Sequence, residues 1–194
     1  MGSQKMKNRG KLYVISGPSG VGKGTVCRII TDKNDNLSVS VSATTRSPRT
    51  EDTDGVTYFF KSKDAFEEMI KNGEFLEWAK YNENYYGTPI APVVEKLENG
   101  KDVILEIDVQ GALEVRKKLD DAVLIFIAPP DENTLYERLK NRATETEAEI
   151  KKRIAAAKHE IELKEKYDYV VINDRLEDAV GQIEDIMKKE KMAK

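Results

Sequence analysis

Continuous apolar runs, each bounded by polar or turn-forming residues, predict the principal β-strands of the chain. They cover residues 12–16, 104–107, 123–127 and 169–172, with Ser16 and Glu106 as the polar exceptions. Strands that are apolar throughout are typical of parallel sheets covered on both faces, so we expect these runs to be central strands. Amphipathic segments follow them along the chain. This alternation predicts an α/β fold in which helices flank both faces of a parallel sheet.

Two of the amphipathic segments carry a clear helical period. In residues 25–31 the apolar side chains recur at helical spacing directly after the first strand. Later in the chain, residues 144–147 (Thr-Glu-Thr-Glu) match a capping box and predict the start of a long helix. The apolar stripe of that helix consists of Ile150, Ile154, Ala157 and Ile161.

The middle of the chain interrupts this regular alternation. Val56, Tyr58 and Phe60 alternate with polar residues, which is the period of a half-buried strand. Ser62 is placed to cap a helix that Gly73 would end. Residues 41–95 therefore predict an α+β lobe inserted into the parallel-sheet core.

Length and composition restrict the class of protein. A chain of 194 residues suits one domain with an inserted lobe, and 39% hydrophobic residues exclude a disordered chain. The longest apolar run, residues 122–130, is too short to cross a bilayer. A net charge of -3 provides no general attraction for nucleic acid or anionic lipid, so neither is an expected partner.

The first residues of the chain and its counts of cysteine and histidine bear on location and on metal binding. The first residues are basic and polar without an apolar stretch, so they do not predict a secretory signal, and we expect a cytoplasmic protein. A single cysteine and a single histidine argue against a structural metal site. Because the net charge is slightly negative, an anion-binding site would need positively charged groups brought together at one place.

Residues 17–25, Gly-Pro-Ser-Gly-Val-Gly-Lys-Gly-Thr, lie directly between the first predicted strand and the helix that follows it. This arrangement indicates a phosphate-binding loop, because glycines let backbone N–H groups approach a triphosphate and the helix N-terminus adds positive potential. Lys23 would reach the outer phosphates and Thr25 a magnesium ion. The alternative is a glycine-rich turn that binds no ligand.

The inserted lobe contains a second candidate phosphate site. Arg46 and Arg49 lie three residues apart around Pro48, and two guanidinium groups so placed can clamp a phosphate from two directions. Tyr58 and Tyr86 could add phenolic donors. Taken alone, the two arginines could equally belong to a solvated turn.

The motifs together resemble those of guanylate kinase, a family of nucleoside monophosphate kinases with a P-loop core, an inserted GMP-binding lobe and a helical lid. The resemblance extends from about residue 11 to about residue 186. It rests on GPSGVGKGT (17–25), SATTRSPR (42–49), GEFLEWAKYNENYYGT (73–88), LEIDVQG (105–111), FIAPP (126–130) and NRATETEAEIKKR (141–153).

The resemblance implies two nucleotide sites and a set of catalytic residues. It places the GMP site at Ser42, Arg46, Arg49, Tyr58, Glu77, Tyr86, Thr88 and Asp108. It places the ATP site at Ser19, Gly20, Val21, Gly22, Lys23, Gly24, Thr25, Arg138, Arg142 and Asn173, with Arg153 also from the lid. The implied catalytic residues are Lys23, Arg46, Arg142 and Arg153, and Thr25 is the implied magnesium ligand once nucleotide is bound.

The chemistry of guanine agrees with this assignment. The base presents a ring N–H and an amino group side by side, so one carboxylate, Glu77, can accept both hydrogen bonds. The hydroxyls of Ser42 and Thr88 can donate to the guanine carbonyl oxygen, where adenine carries an amino group. The plainer interpretation of Glu77 is an exposed acidic residue on a strand.

In a few places the sequence departs from the commonest pattern of the family. Thr88 replaces a frequent serine but keeps the hydroxyl, and Ala143 replaces a frequent glycine in the lid. Glu106 replaces a frequent aspartate and reaches one carbon further, which leaves open whether it contacts nucleotide or a magnesium-bound water directly.

The implied reaction is Mg²⁺-dependent phosphoryl transfer from ATP to GMP, giving ADP and GDP, with dGMP as a second acceptor, in purine metabolism and GMP recycling. The implied division of the single domain is a core (10–40, 96–137 and 156–190), a GMP-binding lobe (41–95) and a lid (138–155). Two alternatives stay open: a P-loop kinase for another acceptor, and a guanylate-kinase-like interaction module that binds phosphopeptides. The sequence predicts no oligomeric state.

Overall fold

The computed structural model describes residues 9–140 and 146–193. Its strands are β1 (Leu12–Ser16), β2 (Leu37–Val39), β3 (Ala43–Thr44), β4 (Phe59–Phe60), β5 (Phe75–Tyr81), β6 (Asn84–Pro89), β7 (Asp102–Glu106), β8 (Val123–Ala128) and β9 (Tyr169–Ile172). Its α-helices are α1 (Lys23–Asp32), α2 (Lys63–Lys71), α3 (Ile90–Glu98), α4 (Val109–Lys118), α5 (Glu132–Lys140), α6 (Glu147–Glu162) and α7 (Leu176–Met192). A short 3-10 helix, Leu163–Lys166, follows α6.

The larger sheet has five parallel strands in the order β2-β7-β1-β8-β9. Alternate residues of β1 enter opposite cores: Tyr13 and Ile15 pack against α1 and α7, whereas Leu12 and Val14 pack on the side of α3 and α4. Successive strand side chains point to opposite faces, so a strand covered by helices on both faces must be apolar throughout. The predicted α/β fold with a helix-flanked parallel sheet is confirmed.

The smaller sheet occupies the middle of the chain and has the order β4-β3-β6-β5. Its hairpin between β5 and β6 turns through Asn82 and Glu83, both with positive φ. The helix α2 covers this sheet, and the ring of Phe66 stacks on those of Phe75, at 4.4 Å, and Tyr85, at 5.3 Å. Ser62 caps α2 by accepting a hydrogen bond from the N–H of Ala65, as its sequence predicts.

The two sheets meet at the beginning of β5. Phe75 packs in the core of the smaller sheet, whereas the next side chain, Leu76, packs in the core of the larger sheet beside α3 and α4. Adjacent residues of one strand therefore anchor it to both hydrophobic cores, because their side chains point in opposite directions.

The structure corrects the prediction that every apolar run is a central strand. The run at 169–172 forms β9, which lies at the edge of the larger sheet. Val170 and Ile172 are 44% and 53% exposed. An apolar run does not distinguish a strand that is buried on both sides from an edge strand that turns only one face to the core.

Two local predictions were also wrong. The long helix α6 begins two residues later than residues 144–147 suggest, because Thr146 caps it and Glu149 completes the capping box. Two overlapping Thr-x-x-Glu patterns occur here, and sequence alone does not choose between them. Val56 is not part of a strand but lies in a turn and is 68% exposed, so only Phe59 and Phe60 form β4.

The residues around α5 and α6 form a small cluster of their own. Leu135 and Leu139 of α5 pack against Ile150 and Ala157 of α6, which lie on the predicted apolar stripe. Within residues 9–140 and 146–193, no helix combines the length and apolar character that a transmembrane span requires.

Candidate functional site

The carboxyl ends of the parallel strands bring the candidate residues to one edge of the larger sheet. The glycine-rich loop follows β1, Glu106 ends β7 and is followed closely by Asp108, and Asn173 follows β9. Ligands of open parallel sheets bind at this edge, because the strand ends and the helix N-termini meet there. The smaller sheet adds Glu77 and Thr88 from paired positions on β5 and β6.

The glycine-rich loop has a backbone that only glycine adopts without strain. Gly17, Gly20 and Gly22 have φ values of 143°, 87° and 96°. A Cβ atom at Gly17 would lie 2.1 Å from the carbonyl oxygen of Ile127, so a side chain is sterically excluded there. The helix α1 begins at Lys23, two residues earlier than its apolar spacing indicates. It therefore follows Gly22 of the loop directly, and the N–H groups of its first turn have no partner within the helix.

Lys23 lies over the loop that precedes it. Its Nζ donates hydrogen bonds to the carbonyl oxygens of Gly17, at 2.6 Å, and Pro18, at 3.1 Å. Burial lowers the pKa of Lys23, while Glu106, Glu160 and Asp108 oppose that shift. The structure thus places the positive charge of Lys23 beside the glycine-rich loop. This is the arrangement expected for binding of a phosphate chain.

Asn173 and Arg138 lie beside the loop. The side-chain amide of Asn173 is buried and donates to the carbonyl oxygen of Val21 at 2.8 Å, so Asn173 supports the loop directly. Arg138 donates from Nη2 to the carbonyl oxygen of Asp174 at 3.3 Å. Its buried Nη1 has no hydrogen-bond partner in the described part of the chain, so a donor is available there for a ligand.

The residues of the predicted lid are only partly within the described structure. Arg153 on α6 lies against the phosphate loop, where its Nη1 donates to the hydroxyl of Ser19 at 3.4 Å. Arg142 and Ala143 lie outside the described residues.

Oxygen donors suited to magnesium lie next to the loop, although they do not form a complete site. Thr25 is exposed in the first turn of α1. The Glu106 carboxylate lies 3.2 Å from the position a Cβ atom would take on Gly24, and burial raises its pKa. Within the described ranges, no group of three or more His, Cys, Asp or Glu side chains could hold a metal ion. These donors fit a hard cation that also takes ligands from phosphate oxygens.

The two arginines of the smaller sheet region have different surroundings. Arg46 forms a salt bridge with Asp52 at 2.8 Å and lies over the ring of Tyr58 at 5.4 Å. Arg49 is exposed, and its backbone N–H also donates to the Asp52 carboxylate at 2.8 Å. Tyr86 makes an edge contact with Tyr58 at 6.1 Å between ring centroids. The structure therefore groups Arg46, Tyr58 and Tyr86, and it links Arg46 with Arg49 through Asp52.

Glu77 is 8% exposed, which rules out the exposed-strand interpretation. The buried hydroxyl of Thr88 donates to its Oε1 at 2.6 Å, so this hydroxyl holds the carboxylate rather than pointing freely into a cleft. Burial raises the pKa of Glu77 and the Thr88 hydrogen bond opposes that shift. A Cβ atom on Gly111 would lie 3.1 Å from Oε2, so the carboxylate packs against the first turn of α4.

Asp108 and Ser42 have backbone roles in addition to their predicted ones. Asp108 is the N-cap of α4, and its Oδ1 accepts a hydrogen bond from the N–H of Gly111 at 2.7 Å. Ser42 precedes β3, is partly buried, and its carbonyl oxygen accepts from the N–H of Phe59 at 2.9 Å.

Sequence reasoning missed three charged residues that act on the candidate site. Asp52 holds Arg46, Glu160 on α6 faces Lys23, and Lys118 at the end of α4 contacts β5. They lie in strongly charged segments, where no motif distinguishes one acidic or basic residue from its neighbours. Only the contacts in the folded chain identify them.

Comparison with known proteins agrees with this geometry. The guanylate kinase family model matches residues 9–190. A guanylate kinase of Halalkalibacterium halodurans is 54% identical over 184 residues, covering 95% of this chain and 90% of that protein. One of Bacillus subtilis is 51% identical over 194 residues, covering 97% and 95%.

A solved structure shows the same similarity. The crystal structure of guanylate kinase from Anaplasma phagocytophilum aligns with a TM-score of 0.74 at 32% identity, over 96% of this chain and 88% of that one. A family match over nearly the whole chain, together with relatives at about half identity, identifies an enzyme of this type. The chain belongs to the guanylate kinase family.

Proposed function

We propose that this enzyme transfers the γ-phosphoryl group of ATP to GMP in a Mg²⁺-dependent reaction that gives ADP and GDP. The buried carboxylate of Glu77, held by Thr88 at 2.6 Å, carries the proposal. Burying a carboxylate is costly, and the cost is offset when a ligand presents paired donors to it. Guanine presents such a pair, whereas adenine does not.

On the acceptor side, the proposed GMP site combines base recognition with a phosphate clamp. Glu77 accepts from the ring N–H and the amino group of guanine, Thr88 and Ser42 complete the polar wall around the base, and Asp108 lies beside it. The phosphate binds Arg46, Arg49, Tyr58 and Tyr86. Because Arg46 is paired with Asp52, a bound phosphate competes with this carboxylate for the guanidinium group.

On the donor side, we assign the ATP phosphates to the loop from Ser19 to Thr25. The backbone N–H groups of Gly20, Val21, Gly22 and Gly24 belong to this cradle. Lys23 must exchange its bonds to the Gly17 and Pro18 carbonyl oxygens for bonds to phosphate. The free donor of Arg138 and the amide of Asn173 border the purine, and Arg153 approaches from the lid, where Arg142 would join it.

Magnesium binding is assigned to Thr25 together with the ATP phosphates. When bound, the ion neutralises part of the charge on the transferred phosphoryl group. The attacking phosphate oxygen of GMP is already ionised, so the protein needs no general base. Its residues instead align two mutually repelling anions and surround the transferred group with Lys23, Arg46 and the lid arginines. The GMP-binding lobe and the lid must close over the nucleotides to exclude water.

The direct test is a coupled assay of ADP release with ATP and magnesium against GMP, AMP, UMP and dTMP. We expect turnover with GMP alone, and with dGMP in a parallel assay, because none of the proposed contacts uses the ribose 2′-hydroxyl. Turnover with another of these acceptors in place of GMP would contradict the proposal. GMP binding without turnover would favour a phosphopeptide-binding module.

We expect Arg49→Ala to weaken GMP binding by about tenfold with little change in the KM for ATP, because it removes one charge-assisted contact to the acceptor phosphate. The measurement is the KM for each substrate with the other saturating. Arg175→Ala removes an arginine that is distant in sequence and pairs with Asp178, and serves as the control. Unchanged GMP affinity in the Arg49 variant would remove this residue from the site.

We expect Gly111→Ala to raise the KM for GMP about threefold to tenfold without destabilising the fold. The added Cβ would press on the Glu77 carboxylate at 3.1 Å, while alanine favours the helical backbone of α4 by about 1 kcal/mol. Gly181→Ala, in α7, is the matched control because nothing lies within 4 Å of its added Cβ. Thermal unfolding of both variants and their kinetics with GMP separate the two effects, and equal kinetics would contradict the expected contact.

We further propose that the enzyme acts in the cytoplasm, in purine nucleotide metabolism and GMP recycling, without nucleic-acid or membrane partners. The small net charge of -3 supports the last point. Fractionation of cells followed by the same assay tests the location, since guanylate kinase activity of this chain should remain in the soluble cytoplasmic fraction.

A further inference from the structure

Lys118, the last residue of α4, makes a contact that bridges the two sheets. Its Nζ donates to the carbonyl oxygen of Phe75 at 2.8 Å. Phe75 begins β5, which is the edge strand of the smaller sheet. Carbonyl groups on the outer side of an edge strand have no neighbouring strand to supply a donor. The ammonium group of Lys118 supplies one from a helix of the core.

The contact lies where β5 departs from regular pairing. Phe75 is opposite Pro89 and Glu77 is opposite Thr88, so the register shifts by one residue between these two pairs. Such an irregularity bends a strand and redirects the side chain that follows it. Glu77 is the first residue of β5 that is paired after this shift.

The same helix contacts Glu77 at its other end. Gly111, in the first turn of α4, packs against the Glu77 carboxylate, whereas Lys118 binds the strand two residues before Glu77. The strand is thus held against α4 at two points, one at the recognition side chain and one at the backbone that leads to it.

The charges around Glu77 show how the positive charge of Lys118 affects the pKa of this carboxylate. Burial raises the pKa of Glu77 and Asp108 raises it further, whereas hydrogen bonds from Thr88 and the positive charge of Lys118 lower it. Within residues 9–140 and 146–193, Lys118 is the positively charged residue that acts on this carboxylate. A glutamate that must accept two hydrogen bonds from guanine has to be ionised.

We propose that Lys118 is a positioning residue for base recognition: it fixes the start of β5 against α4 so that Glu77 presents an ionised carboxylate to guanine. This inference rests on the proposed function, in which Glu77 binds the base. Lys118 does not touch the nucleotide. Its contribution is to the geometry and charge of Glu77, and therefore to the choice of base rather than to phosphoryl transfer.

The test compares Lys118→Met, Lys118→Gln and Lys118→Arg with Lys117→Met. Lys117 is the neighbouring exposed lysine and pairs with Glu114 at 2.6 Å, away from β5, so its substitution removes one charge from the same helix without touching the proposed contact. Binding of GMP and of inosine monophosphate, which lacks the amino group, is measured by calorimetry, and kcat and both KM values are determined by the ADP-release assay.

We expect Lys118→Met to weaken GMP binding about fivefold to tenfold, with kcat and the KM for ATP nearly unchanged. The preference for GMP over inosine monophosphate should fall. Only GMP carries the amino group that donates to Glu77, so weakening this hydrogen bond affects GMP more. Lys118→Gln should show the same direction, and Lys118→Arg, which keeps charge and donors, should restore binding. The acid limb of GMP affinity should move to higher pH in the Met and Gln variants, since removing the cation raises the pKa of Glu77.

The outcomes separate this inference from the proposed function. An unchanged preference between the two nucleotides in Lys118→Met and Lys118→Gln, or an equal loss in Lys117→Met, would overturn the role of Lys118. If the unsubstituted enzyme did not phosphorylate GMP, the proposed function itself would fail. If Glu77→Gln weakened GMP binding while the Lys118 variants bound normally, only the inference about Lys118 would be wrong.

Discussion

Replacing Lys23 with alanine should lower kcat by about 10²- to 10³-fold, the loss seen when one group that stabilises a developing anion is removed. Lys23 is the cation that the structure places at the mouth of the phosphate loop, with its Nζ 2.6 Å from the Gly17 carbonyl oxygen. We expect bound ATP to replace the bonds to these carbonyl oxygens with bonds to phosphate, so that the charge of Lys23 acts on the reacting groups.

The measurement is kcat for ADP release at saturating ATP, magnesium and GMP. Lys33→Ala is the matched control, because Lys33 follows α1, is 58% exposed and pairs with Glu184 far from the loop. Thermal unfolding shows whether both variants are folded. Turnover of Lys23→Ala within a few-fold of the unsubstituted enzyme would contradict the assignment of this lysine to the transferred phosphoryl group.

Replacing Glu77 with glutamine should weaken GMP binding by about 10- to 100-fold, since a hydrogen bond to a charged group contributes about 1.5 to 3 kcal/mol. The amide also presents a donor toward the paired donors of guanine. The substitution should leave ATP binding unchanged, because Glu77 belongs to the smaller sheet. Calorimetric titration with GMP and with ATP measures the two effects separately, and an equal loss for both nucleotides would indicate a damaged fold instead.

The pH dependence of Glu77 has a defined sign. Burial raises the pKa of Glu77, so in the unsubstituted enzyme GMP affinity should fall on acidification at a higher pH than an exposed glutamate would give. A carboxyl group with a raised folded-state pKa binds protons more tightly in the folded state, so its ionised form at neutral pH lowers the stability of the fold. Glu77→Gln should therefore unfold at the same or a higher temperature at pH 7, and should lose the acid limb of GMP binding.

A sharp loss of stability in Glu77→Gln at neutral pH would contradict this account. The Thr88 hydroxyl, which donates to Glu77 Oε1 at 2.6 Å, can donate equally to the amide oxygen of glutamine, so that hydrogen bond is retained. Asp64→Asn, at the start of α2, changes an acidic residue of the same lobe without altering the buried site and is the control.

The predictions from local pattern succeeded where a local cause determines the structure. The run 12–16 forms β1 and the run 169–172 forms β9 with the predicted limits, whereas the run at 104–107 forms β7 at Asp102–Glu106. Ser62 caps α2 as predicted.

Predictions that depended on neighbours in space were less complete. The edge position of β9 and the exposed turn at Val56 depend on which surfaces other elements cover. The pairing of Arg46 with Asp52 joins residues within one charged turn, yet the sequence offers several acidic partners there. Competing partners of equal charge are distinguished only by the geometry of the folded chain.

The sequence alone determined the α/β class, the strand–loop–helix arrangement of the phosphate loop and the identity of the residues that resemble the nucleotide sites. These features arise from the period of apolar side chains and from glycines whose backbone other residues cannot adopt, which are properties of short segments. Tertiary structure alone decided that Glu77 is buried, that Thr88 donates to it, and that Lys118 and Gly111 of one helix hold its strand. Burial and hydrogen bonding between residues distant in the chain arise only when the two sheets pack together, because the desolvation and the electric field that act on a carboxylate come from its neighbours in space.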